Sequence, residues 1–465
     1  MSEPGHEPAV LGTRGTAWAP ETRLYSDGVV VGKDGEPLVV PPHSGLARVP
    51  GTGYLDPVAG SLPGAHEPAP EEVDAWTARL EGAAIPGVDG PYSDMARTAL
   101  ADIEVLTFPN GAAVAAGSPY WRFVWPRDTG FMAVALSLTG RTREARRLLD
   151  YVARMQEDDG GWQARYLPDG SGDVPDGRGR QLDGIGWTLW ATWFWQRTTG
   201  DELGDLGEMA EAATRAALDA LDPATHLPTA SQDYWEMDVD EVTLGTAAPL
   251  LLGLRCAHDL LLDAGASPDA GDAADTAGRH RTARADLAAR AARAASGLDT
   301  AIHTGFGAHG YRRRFSGSGG YDASVAFLLP PFAPLTRRDP GGVADAWRRA
   351  VEATTVANGG VRPGEEWTDL MTAWTPQVSL HALAAAGLGD TALAHRLLSW
   401  LDVRRTGLGS LPEKVTEAGR PAAVAPLGLT GATVLIALAV LEGTTLPVPG
   451  HGRDGTEGGV RYDPW

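Results

Sequence analysis

With 465 residues, 43% of them hydrophobic, the chain can form one large domain or two around a sizeable core. Its net charge of −21 argues against a nucleic-acid partner, which needs a basic face, and against adhesion to an anionic membrane. The single cysteine, Cys256, excludes an intrachain disulfide and a cysteine-built zinc cluster.

Cys256 lies in the apolar run 250–262 and reads as a small buried hydrophobe rather than a nucleophile. No apolar run approaches the length of a bilayer span. The first residues, Met1 to Glu7, lack the basic and apolar regions of an export signal, so the expected compartment is the cytoplasm. Lys33 and Lys414 are the two lysines among 39 basic residues, a bias that, with abundant Ala and Gly, points to GC-rich codons.

In chain order, residues 1–70 are rich in Pro and Gly and read as an N-terminal arm. Two short strands are expected over 24–40 around the turn Gly32-Lys33-Asp34-Gly35, and a mobile linker over 58–69. Helical periodicity begins near Glu71. It recurs over 95–106, 129–138, 143–155, 186–195, 206–221, 244–262, 282–302, 321–329, 342–355, 376–386, 391–401 and 427–441. Thr142 and Asp390 stand where N-caps belong, and Gly140, Gly200 and Gly389 follow helical runs as stops. The Ala-, Asp- and Arg-rich stretch 265–297 reads as a solvated helical face without chemistry. A Gly-rich tail, 447–465, is expected to dock through Tyr462 and Trp465. Paired helices repeated about six times predict an all-α (α/α)6 toroid over 71–446, with function carried on loops at one end.

Chemistry concentrates in three stretches. The first, Tyr120 to Asp128, sets four aromatics beside an Arg-Asp pair, which suits stacking on a sugar ring and holding its hydroxyls. Taken alone it reads equally well as a buried aromatic loop with an internal ion pair. The others are Tyr234-Trp235-Glu236 and Ser410-Leu411-Pro412-Glu413. Glycoside hydrolysis needs two carboxyl groups flanking one sugar, one kept protonated and one ionised to activate water. An indole beside Glu236 is the kind of apolar wall that favours a protonated carboxyl. Fifteen tryptophans stand in the chain. Trp187, Trp190 and Trp193 repeat at helical spacing and read as core, whereas Trp121, Trp125, Trp235 and Trp367 read as substrate platforms.

Trp125-Pro126-Arg127-Asp128, Tyr234-Trp235-Glu236 and Leu411-Pro412-Glu413, in this order, resemble the bacterial and archaeal branch of the glucoamylase-like glycoside hydrolases. That family includes glucodextranases, some trehalases and isomaltose-directed glucosidases. Gln181-Leu182-Asp183-Gly184, Gly320 to Ser324, Gly359 to Arg362 and Pro426-Leu427 extend the resemblance over residues 95–442 or so. It implies inverting, exo-acting hydrolysis of an α-glucoside; no cofactor or metal is expected. Glu236 would be the general acid and Glu413 the general base. Arg127 and Asp128 would bind the non-reducing-end sugar, Asp183 would also contact substrate, Arg362 would bind a hydroxyl, and Thr430 would hold the Glu413 carboxylate.

Departures from the family pattern cluster near its subsites. Met237 stands where a second acidic residue is frequent, 427–432 lacks the usual Trp and Ser, and Glu365-Glu366-Trp367 precedes Trp374 without the usual Arg. The N-terminal β-sandwich of many relatives is absent or reduced. These changes favour a small carbohydrate substrate over a polymer, with trehalase as the nearest alternative. A sugar-binding or metabolite-tailoring relative is a further one. HExxH, GxSxG and Walker motifs are lacking, and no calcium loop has convincing spacing.

Overall fold

The computed structural model describes residues 23–263, 274–334 and 342–449. The expected tail contacts of Tyr462 and Trp465, and the Met1–Glu7 segment, lie outside the described residues. Strands β1 (Gly28–Val31) and β2 (Pro37–Val40) pair antiparallel as the expected hairpin. Gly35 takes φ +79° in its turn, a conformation that glycine adopts without steric cost. The 58–69 stretch differs from the expected mobile linker. Backbone bonds from Lys33 N–H to Gly64 O and from His66 N–H to Val31 O pin it along the hairpin.

Twelve α-helices follow among the described residues: α1 (Pro70–Glu81), α2 (Ser93–Val105), α3 (Pro126–Leu138), α4 (Thr142–Arg154), α5 (Asp183–Thr199) and α6 (Asp205–Asp219), then α7 (Leu244–Asp263), α8 (Ala274–Ala301), α9 (Gly342–Thr354), α10 (Thr375–Gly387), α11 (Thr391–Asp402) and α12 (Gly428–Leu441). Five of them, with one short 3-10 segment (Ala323–Leu328), close an inner ring. Going round, α3 packs on α5, α5 on α7, α7 on the 3-10 segment, that segment on α10, α10 on α12, and α12 on α3. Outside it stand α4, α6, α8, α9, α11 and α2. The result is an (α/α)6 toroid.

Sequence composition separates the two rings. Inner helices are buried over most of their length: in α12 all residues from Thr430 to Ala439 are buried, and α3 is buried from Pro126 to Ser137. Outer helices bury one stripe, as α4 does with Ala145, Leu148, Leu149 and Val152. Trp187, Trp190 and Trp193 lie in this core as their spacing predicted, and Cys256 is fully buried on α7. In the 265–297 stretch, Leu287 and Ala291 of α8 face inward while Arg281 and Arg290 stay in solvent.

Local signals were partly overruled. Asp390 caps α11 by accepting the Leu393 N–H at 3.1 Å, and Gly200 ends α5 in the left-handed region. Thr142, by contrast, is the first residue of α4 rather than its cap. The helix expected over 321–329 is only the 3-10 segment, because Pro330-Pro331 cannot continue it and the Asp322 side chain caps it tightly at Ser324 N–H.

Candidate active site

Each inner element is entered by a loop that carries site residues, and these loops gather at the N-terminal end of the inner ring. Trp125 precedes α3, Gln181 precedes α5, Tyr234-Trp235-Glu236 precede α7, Asp322 precedes the 3-10 segment, and Trp367 and Trp374 precede α10. Glu413 and Leu427 precede α12. Helix N-termini concentrate unpaired N–H groups and partial positive charge, which suits a site built from carboxylates.

A cavity of about 110 Å³ opens there. Arg127, Asp128, Glu236 and Glu413 supply its charged lining. Trp121 and Trp125 form one aromatic side, and Trp235, Trp367 and Trp374 form the other. The latter three pack edge to face, with centroids 4.9 Å apart for Trp235–Trp367 and 5.1 Å for Trp367–Trp374. The Nε1 groups of Trp367 and Trp374, and Gln377 Oε1, are buried without a hydrogen-bond partner at the cavity wall.

The two glutamates are each held by an indole of the same loop. Trp125 Nε1 donates to Glu236 Oε1 at 2.7 Å, and Trp121 Nε1 donates to Glu413 Oε1 at 3.3 Å. Glu413 is 5% exposed, and its second oxygen, Oε2, accepts no hydrogen bond. Burial raises its carboxyl above the ordinary range, opposed by the nearby Lys414 charge and the Trp121 N–H.

Glu236 sits in a left-handed conformation, φ 56°, which non-glycine residues rarely adopt. A buried network holds it there. The Asp233 carboxylate accepts the Trp235 N–H at 2.9 Å and the Arg313 guanidinium at 3.0 Å. Arg313 in turn lies 4.0 Å over the Trp235 ring. Asp322 accepts from Trp235 Nε1 at 2.8 Å and from the Tyr234 hydroxyl at 2.7 Å. The expected apolar wall beside Glu236 is corrected by the geometry. Arg127 Nη2 lies 3.6 Å from its Oε1 and Arg178 pairs with its Oε2, so the carboxylate meets two cations as well as an indole.

Behind the cavity, Arg127 donates to Asp183 Oδ2 at 2.9 Å and to Gln181 Oε1 at 3.0 Å. Asp128 is 5% exposed, and its carboxyl is pushed up to about 6, mainly by burial, with the Arg127 charge opposing.

No protein-family model matches the chain. An uncharacterized glycosyl hydrolase of Methanocaldococcus jannaschii is 34% identical over 107 residues, which is 23% of this chain and 17% of that relative. Among solved structures, a wild-type glycosidase superposes with TM-score 0.55 at 23% identity, covering 81% of this chain and 99% of that one. A bacterial glucoamylase complexed with acarbose gives TM-score 0.61 at 16% identity, covering 81% of this chain and 59% of its own. The glucoamylase from Saccharomycopsis fibuligera gives 0.58 at 11% identity, over 79% of this chain and 94% of that chain. The fold is that of the glucoamylases.

Within that glucoamylase fold, the structure gathers Trp121, Trp125, Arg127, Asp128, Trp235, Glu236, Trp367 and Glu413 around one cavity. Asp183 stands one layer back and meets the cavity only through Arg127. Arg362 does not line it, since its Nη2 donates instead to Ala353 O at 3.2 Å, where α9 ends. Thr430 does not touch the Glu413 carboxylate. Its hydroxyl lies 2.9 Å from that of Thr375, which reaches the backbone oxygens of Pro412 and Glu413, so any support is through the main chain. Sequence reasoning passed over Arg178, Arg313, Asp233, Gln377 and Lys414. Arg313 lies in an exposed-looking run of three arginines, and Asp233 in a crowd of acidic residues. Their pairing across 80 positions leaves no local signal.

Proposed function

We propose that the chain is an inverting, exo-acting α-glucoside hydrolase that releases β-glucose from the non-reducing end of a short α-glucoside. The observation that carries this reading is the pair Glu236 and Glu413 lining one cavity, each anchored by an indole N–H, with Arg127 and Asp128 beside them. Arg127 and Asp128 offer a fixed donor and acceptor for the innermost sugar, and the unpaired Trp367, Trp374 and Gln377 groups offer further hydroxyl partners. Two proteins of the same fold are described with glucose and with acarbose bound, which supports a glucose-type ligand.

In this reading the Oε2 lone pairs of Glu413 take a proton from water as its oxygen bonds to the anomeric carbon. Glu236 gives its proton to the glycosidic oxygen as that carbon–oxygen bond breaks. In this reading the Arg178 guanidinium has to leave Glu236 before that carboxyl can carry a proton to the leaving group. The test is turnover of isomaltose and maltose by Glu236→Gln and Glu413→Gln. Each should lose about 10²–10⁴-fold in kcat, with glucose binding by calorimetry little changed. Near-normal turnover in either variant removes that residue from its role.

A further inference from the structure

Lys414 is 2% exposed and stands on a strand patch that the sequence did not announce. Strands β3 (Ala373–Trp374), β4 (Lys414–Val415) and β5 (Pro421–Ala422) pair antiparallel, and Lys414 lies opposite Trp374. Its Nζ sits 4.2 Å over the Trp374 ring and 3.8 Å from Glu413 Oε2. Neighbouring residues on a strand normally point to opposite faces. Here the ammonium nonetheless meets both the Trp374 ring and the glutamate that precedes it. Trp374 lines the cavity and Lys414 does not, so the ammonium reaches the site from behind its wall.

A buried ammonium is costly unless paired. In a chain where Lys33 is the sole other lysine, a compact point charge stands here rather than an arginine's broad fork. We propose that Lys414 is a positioning residue for Glu413, a cationic strut behind Trp374 that keeps the carboxylate ionised and turned toward the sugar. This rests on the reading of Glu413 as base.

Asp369 faces Lys414 from the loop before β3, and Asp128 faces Glu413 from the first turn of α3, with Arg127 offsetting Asp128. Burial favours a protonated Glu413, and the Lys414 charge opposes it.

The experiment compares wild type, Lys414→Met and Lys414→Arg in two readouts. One is the pH profile of kcat/KM. The other is a carbon-13 NMR titration of the Glu413 carboxyl without substrate, assigned with Glu413→Gln. Lys414→Met should move the NMR midpoint upward by about one pH unit or more, with the acid limb of the profile following it. Lys414→Arg should restore much of both. An unmoved NMR midpoint in Lys414→Met overturns the proposal, and Lys414→Gln serves the same purpose if the methionine variant does not fold. A midpoint that moves while the acid limb stays put keeps the Lys414–Glu413 coupling but removes Glu413 as the base.

Discussion

Asp128 is placed where its charge is costly and useful at once. Burial is the largest influence on its carboxyl, which is pushed from 3.8 up to about 6. A carboxyl held more tightly by its proton in the folded state contributes stability that is full below the unfolded value near 3.8. That contribution is lost as pH rises through about 6. Asp128→Asn does not titrate. Its unfolding free energy relative to wild type should therefore rise by up to about 3 kcal/mol between pH 4 and pH 8, while hydrolysis falls. Denaturant unfolding at the two pH values checks this, and an identical difference at both would contradict it. The same residue shows the reach of the sequence. Trp125 to Asp128 announced an aromatic and ionic loop because all four are contiguous at one helix start. The Arg178 and Lys414 contacts were illegible because they depend on how loops fold back over the ring.

Among the elements, α5 and α7 pack backbone to backbone, and two glycines permit it. A Cβ on Gly186 would lie 2.0 Å from Pro249 O, and one on Gly253 would lie 2.6 Å from the Gly186 Cα. Backbone blocks both, so no side-chain adjustment relieves them. Gly186→Ala should cost about 1–3 kcal/mol or more, read as a fall in the denaturant midpoint. It should also weaken turnover, because α5 begins with Asp183 behind Arg127 and α7 follows the Glu236 loop. Unchanged stability would show that the two helices are not in rigid contact. Long apolar helices such as α7 and α12 were visible from periodicity alone. The sixth inner element was expected as a helix over 321–329 and is a six-residue 3-10 segment, because a stretch ended by Pro330-Pro331 carries the pattern of a helix without its length. The two-residue strands β3, β4 and β5 were also invisible, being too short for alternation to register.

At the scale of the whole molecule, paired helices repeated about six times made the toroid legible. The ring gathers six entering loops at one end, so residues from 121 to 427 meet at one cavity. Sequence order alone does not bring Trp121 to Glu413, 292 positions away, yet ring closure between α12 and α3 does. The central claim is that Glu236 and Glu413 act as acid and base of an inverting glucosidase. Proton NMR of the first product from isomaltose, maltose, trehalose and kojibiose tests it most directly. The account predicts β-glucose as the initial anomer from at least one of them; α-glucose released first, or no hydrolysis of any, would contradict it.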